Sequence, residues 1–142
     1  MTDSELRAFR RNLPMALLRA RETIMGHFRP IMREHDITEQ QWRVIRALHG
    51  IEGMEATALA EKTMLLMPSL TRILKALEEQ KLVRRSIVEG DNRRKLIKLA
   101  ERGCDLYKKM SPLSEAEYKK IETKIGAKKL EELYKLLEMV AD

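Results

Sequence analysis

The sequence predicts a mainly α-helical chain of α+β class on three observations. Apolar residues recur at three- and four-residue spacings over most of the 142 positions; one short stretch near residue 90 switches to β-branched, alternating patterning; and helical periodicity then resumes to the end. From Leu6 to about His35, the stripe Leu6, Phe9, Leu13, Leu17, Ala20, Ile24, Phe28 and Ile31 predicts one long helix, with kinks or breaks at Pro14 and Pro30, where a backbone donor is missing. "DITEQQWRVIRALHG" predicts a second helix over about 39–49, with Thr38 and Gln41 as a capping box and Gly50 as its stop.

A turn over Gly50–Gly53 leads to the short helix "EATALAEKT" and then to "MPSLTRILKALEEQK", whose Pro68 is tolerated in a first turn. The two read as helix-turn-helix. In the second, Leu70, Ile73, Leu74 and Leu77 share one stripe, which leaves Ser69, Arg72, Lys75 and Glu79 pointing away and Thr71 on the flank. "LVRRSIVE" and "KLIKLA" flank Gly90-Asp91-Asn92 and predict a hairpin with "GDNRRK" at its tip. "ERGCDLYKKMSPLSEAEYKKIETKI", disturbed at Pro112, and "AKKLEELYKLLEMVAD", set off by Gly126, complete the chain as helices.

This order is the outline of a winged helix-turn-helix with N- and C-terminal dimerisation helices. Residues 36–100 form the expected DNA-binding domain, and 1–35 with 101–142 the dimerisation helices, whose apolar faces a small central domain does not cover.

Composition narrows the function classes. Lys and Arg number 28 against 22 Asp and Glu, a net charge of +6, which is the sign a nucleic-acid partner requires. Aromatics are 4%, too few for base-stacking platforms, so a duplex is the favoured form. A single cysteine, Cys104, excludes an internal disulfide and fits a reducing compartment; it reads as packing, not as a redox switch. The start "MTDSELRAFRRNLP" lacks a signal-peptide core and no apolar run is long enough to span a membrane, so a cytoplasmic location is expected, with no membrane partner. Catalysis is not expected: no nucleophile elbow, phosphate-binding glycine loop, His-Glu-x-x-His or paired-carboxylate pattern occurs. His27, His35 and His49 lack metal-site spacing, and no metal or cofactor is expected.

On the second helix of the pair, Ser69, Thr71, Arg72 and Lys75 occupy the first two turns, where side chains meet bases and phosphates, although the same pattern also suits a solvated face. At the hairpin tip, Arg93 and Arg94 are the candidates for the flanking minor groove. Asp91 would be repelled by phosphate; its expected task is to pair with a neighbouring arginine and cap the turn, fixing where the cations point.

Beginning at Asp91, "DNRRKLIKLAERG" resembles the wing signature of the MarR family of transcriptional regulators, an Asp-x-Arg followed by alternating apolar positions and a closing Gly: here Asp91, Arg93, Ile97, Leu99 and Gly103. "SLTRILKALEEQKLVRR" is similar to that family's recognition helix running into the first wing strand. The resemblance extends over essentially the whole chain. Ala100 departs from it, standing where the family usually has a capping Thr.

"NLPMALLRARETIM" and "REHDITEQQWRVIRAL" are similar to the family's regulators of homoprotocatechuate (3,4-dihydroxyphenylacetate) catabolic operons. The resemblance implies a homodimeric repressor on a pseudo-palindromic double-stranded operator. It would be released when a small phenolic acid binds between the dimerisation helices and the winged helix. A member answering to a different effector, or a ligand-blind DNA-binding module, remains the alternative. Among the residues themselves, Arg21 falls within the apolar stripe of Leu17, Ala20, Ile24 and Phe28 and requires a carboxylate, either an aromatic acid held bidentately or a protein Glu or Asp. Trp42 and His49, with Ile45 between them, offer a flat wall and an imidazole, or simply core; Arg19, on another face, is a further candidate.

Overall fold

The computed structural model describes residues 1–88 and 90–142, and for Asn92 and Arg93 the backbone alone. The elements are α1 (Asp3–Arg10), α2 (Leu13–Glu34), α3 (Glu39–Leu48), α4 (Ala56–Thr63), α5 (Met67–Glu79), β1 (Val83–Val88), β2 (Asp91–Leu99), α6 (Glu101–Ile125) and α7 (Ala127–Ala141). They divide into two compact units, Met32–Pro112, and Met1–Ile31 with Leu113–Asp142.

The unit Met32–Pro112 is the winged helix. Val44, Ile45 and Leu48 of α3, Leu59 of α4 and Leu70, Leu74 and Leu77 of α5 are buried, confirming the predicted stripe of α5 except for Ile73, which is half-buried. Each buried leucine contributes about 1.5–3 kcal/mol relative to an exposed one. Thr38 and Gln41 form the predicted capping box, Thr38 Oγ1 accepting from the Gln41 amide at 3.1 Å and Gln41 Oε1 from the Thr38 amide at 3.0 Å. β1 and β2 pair antiparallel, with Val83 opposite Leu99.

Two features of the wing differ from expectation. β2 begins at Asp91, not at Lys95, so Asp91 and Arg94 lie on the strand and not in the turn; Gly90, at φ +84°, holds a turn conformation that glycine adopts without strain. Between Ile87↔Lys95 and Val88↔Asp91 the register shifts, one step along β1 answering to four along β2, an irregularity that the Gly-Asp-Asn turn signal does not disclose. Met54, between α3 and α4, also bridges β2: its amide donates to the Ile97 carbonyl at 2.9 Å and its carbonyl accepts from the Ile97 amide at 2.8 Å. Gly53 permits this approach, since a Cβ there would lie 2.9 Å from Leu96 Cβ.

In the other unit, the predicted first helix is two. The chain breaks at Arg11 and Asn12, the Asn12 carbonyl accepts from the Ala16 amide at 2.8 Å, and Pro14 falls in the first turn of α2, where its missing donor costs nothing. Pro30 does not break α2; the carbonyl it leaves without a donor is that of Gly26. Pro112, the last residue of the winged-helix unit, likewise lies inside a helix, α6. Phe28 packs on Tyr118 with ring centroids 4.7 Å apart, and beside them His27 Nδ1 lies 3.1 Å from Glu117 Oε2. Neither α1 nor α7 has a buried residue: Phe9 and, on α7, Leu133, Leu137 and Val140 of the predicted stripe remain exposed, as do Leu13 and Leu17 at the start of α2.

Carboxylates of this unit respond to acid. Hydrogen bonds from Lys120 and then His27 hold Glu117 below the ordinary carboxyl value of 4.5, and the Arg29 guanidinium does the same to Glu22, at 2.8 and 3.0 Å. A depressed carboxyl contributes stability above its unfolded value and loses it as pH falls through the folded one. The thermal midpoint should therefore drop on going from about pH 5 to about pH 3. Glu22→Gln with Glu117→Gln should flatten that slope; an unaltered slope would show that these pairs do not set it.

Candidate nucleic-acid interface

Polar contacts hold α4 to α3 ahead of the turn into α5. Lys62 Nζ donates to the Ala47 carbonyl at 2.9 Å and Arg43 Nη1 to the Thr63 carbonyl at 3.1 Å, so a cation satisfies the last carbonyls of each neighbouring helix. Thr63 Oγ1, buried, donates to the Leu59 carbonyl at 2.6 Å. α4 is thus held to α3 by polar contacts, and α5 is held in the fold by its buried leucines.

With its stripe buried, α5 leaves Thr71, Arg72 and Lys75 exposed and Ser69 half-buried. Thr71 Oγ1 donates to the Met67 carbonyl at 2.9 Å, so its methyl turns to solvent with the hydroxyl tied back to the helix. Ser69 and Arg72 line a cleft of about 380 Å³ together with Thr38 and Gln40 at the start of α3, and with Leu65, Ile73 and Ala76. No acidic residue lies in the first turn of α5. The face is cationic, aligned with the positive end of the helix dipole.

On the wing, Arg94 is exposed and its Nε donates to Glu55 Oε1 at 2.6 Å. Glu55 is the N-cap residue of α4, so this pair ties the wing to the helix-turn-helix, and the carboxylate raises the already high basicity of the guanidinium, Glu55 first by its hydrogen bond and Asp91 last through its charge. Asp91 itself lies on β2 and not in the turn. The Arg93 side chain lies outside the described residues. At the root of the hairpin, Arg85 Nε donates to Glu78 Oε1 at 2.6 Å, clamping β1 to α5. Glu55 and Glu78 carry no local sequence signal for these roles, because their partners are set by the fold.

The candidate ligand residues have other surroundings. Arg21 is half-exposed, 4.0 Å from the Glu22 carboxylate that also holds Arg29. Arg19 is exposed. Trp42 is buried and stacks on Tyr107 at 5.7 Å, and His49, exposed, stacks on the same ring at 3.6 Å and 13°. Tyr107, which no sequence pattern singles out, gathers the two aromatic candidates. Cys104 is half-buried in the same unit. Among the described residues, no three His, Cys, Asp or Glu side chains are grouped to hold a metal, and no helix is long and apolar enough to cross a membrane.

A helix-turn-helix closed by a two-stranded wing, with a cationic outward helix, defines a winged-helix DNA-binding protein. The model of the MarR family matches residues 37–95. The homoprotocatechuate degradative operon repressor of Escherichia coli is 41% identical over 127 residues, 89% of this chain and 86% of that one. The HTH-type transcriptional regulator FarR of Neisseria gonorrhoeae is 38% identical over 130 residues, 92% of this chain and 89% of that one. The crystal structure of NadR in complex with 4-hydroxyphenylacetate superposes with a TM-score of 0.79 at 37% identity, covering 92% of this chain and 93% of that one. This chain belongs to the MarR family.

Ala100, the position that departs from the family pattern, directly precedes α6, and its carbonyl accepts from the Cys104 amide at 3.0 Å, but it has no side-chain oxygen to satisfy a first-turn amide. Ala100→Thr should raise stability in urea by about 1 kcal/mol and leave DNA binding unaltered.

Proposed function

We propose that the protein is a homodimeric repressor of an aromatic-acid catabolic operon, of the homoprotocatechuate or 4-hydroxyphenylacetate class, released from its operator by a phenolic acid. The observation that carries the DNA reading is α5, which buries its leucines and leaves Arg72, Lys75 and Thr71 outward beside a wing tied down by Arg94 and Glu55. Ser69, Thr71, Arg72 and Lys75 read bases and phosphates, and Arg93 and Arg94, aimed with the help of Asp91, grip the flanking minor groove. Two recognition helices separated by roughly 34 Å enter successive major grooves. Residues 36–100 serve as the DNA-binding domain and 1–35 with 101–142 as dimerisation helices, which gives the exposed apolar residues of α1 and α7 a partner.

The effector class is supported by the likeness to the E. coli repressor and to NadR, which was crystallised with 4-hydroxyphenylacetate. Arg21 and Arg19 are the candidate carboxylate ligands and Trp42 and His49 the candidate wall. One observation favours the reading without this effector: Tyr107 already stacks on both Trp42 and His49.

The test is fluorescence anisotropy on the chain's own upstream intergenic DNA, with and without 3,4-dihydroxyphenylacetate and 4-hydroxyphenylacetate. Tight binding should be lost on adding either acid, and should fall by about 10³ to 10⁵ between about 50 and 200 mM salt if six to ten phosphates are neutralised. Binding that ignores both acids would remove the effector class and leave the DNA reading; binding that ignores salt would remove the proposed DNA face.

A further inference from the structure

The turn from α4 into α5 exposes three large apolar side chains within four residues: Met64 is 88% exposed, Leu66 77% and Met67 40%. Single exposed apolar residues are ordinary on a protein surface, but a cluster marks a contact. Neither Met64 nor Leu66 serves the local backbone. Leu66 occupies the N-cap of α5 and makes no side-chain cap, at the position where Ser, Thr, Asp or Asn would satisfy a first-turn amide. Met64 holds φ +57° at the end of α4, a left-handed position where glycine is the ordinary residue. Two local rules broken side by side, each in favour of an exposed apolar group, point to a surface kept for a partner.

The neighbouring residues say which partner. Ser69 and Arg72 follow on the same helix, and the first turn carries no acid. In the helix-turn-helix mode, it is the N-terminal residues of this second helix that meet base edges. The major-groove edges of guanine, cytosine and adenine offer hydrogen-bond donors and acceptors, whereas thymine alone adds a methyl group. We infer that Leu66, supported by Met64 and Met67, packs against thymine 5-methyl groups in the major groove and is a specificity-determining residue of this protein.

The inference rests on the proposed DNA-binding reading, and its test separates the two. A duplex is recovered by in vitro selection with the full chain, and its thymines are replaced one at a time by deoxyuridine, which keeps the pairing edge and lacks the methyl. At one or more positions in each half-site, the replacement should weaken binding by about four-fold per methyl. Leu66→Ser should bind thymine and uracil duplexes alike, while its thermal midpoint rises because Ser caps α5. An equal uracil penalty in both proteins would assign the methyl to another residue and overturn the inference, as would the absence of any penalty. In either case, enrichment of a duplex leaves DNA binding standing. If selection enriches no duplex, both readings fall.

Discussion

Gly103→Ala should cost about 3 kcal/mol of stability, a drop of about 10 °C in thermal midpoint, although glycine-to-alanine changes inside helices ordinarily stabilise by about 0.5–1 kcal/mol. Gly103 is buried in the first turn of α6, and a Cβ there would collide with the Leu82 carbonyl oxygen and lie 3.2 Å from Leu99 Cδ2. That carbonyl is not free to retreat. It accepts from the Ala100 amide at 2.9 Å, and the Leu82 amide itself donates to the Leu77 carbonyl at 2.9 Å. The new methyl must therefore displace α6 from the root of the wing or break the bond to Ala100, which alone contributes about 1 kcal/mol. Gly26→Ala supplies the contrast. It is also helical, but nothing lies within 4 Å of the point a Cβ would occupy, and the change should stabilise by about 0.5–1 kcal/mol. Urea titration of the two variants decides the matter: equal shifts of the same sign would show that the packing at Leu82 is looser than the geometry requires.

Much of this architecture is legible in the sequence because it rests on local chemistry. The capping box at Thr38 and Gln41, the leucine stripe of α5 and the β-branched runs of the wing each act within a few residues, and each forms where its pattern places it. What escapes is what depends on partners distant in the chain. The Met54 bridge to Ile97 needs β2 in place before a single residue after Gly53 can pair with it. Arg94 reads as a cation at a tip because nothing near it in sequence announces Glu55. Trp42 and His49 read as either wall or core because nothing near them in sequence announces Tyr107, which arrives from α6. Asp91 escapes for a different reason: Gly-Asp-Asn is turn chemistry, and the irregularity that carries the strand through Asp91 is a property of the paired ladder, not of either strand.

Arg72→Ala should leave stability within about 0.5 kcal/mol and reduce operator affinity by about 1–3 kcal/mol at each half-site, or about 5- to 150-fold, compounded where both half-sites are engaged. The reason is the separation of roles along α5. Leu70, Leu74 and Leu77 hold the helix in the fold, whereas Arg72 is exposed, flanks the cleft between the starts of α3 and α5, and takes no part in the core. Its removal therefore tests the interface without testing the scaffold. The form of the loss also distinguishes what Arg72 meets. If its guanidinium spans a guanine edge, affinity falls on the operator far more than on unrelated DNA, and specificity at one base step relaxes. If it meets phosphate, affinity falls on both alike and the salt slope decreases by about 1. Unchanged operator affinity in a variant of unchanged stability would mean that this face of α5 does not face DNA, and the cationic pattern of the helix would then be a solvated surface.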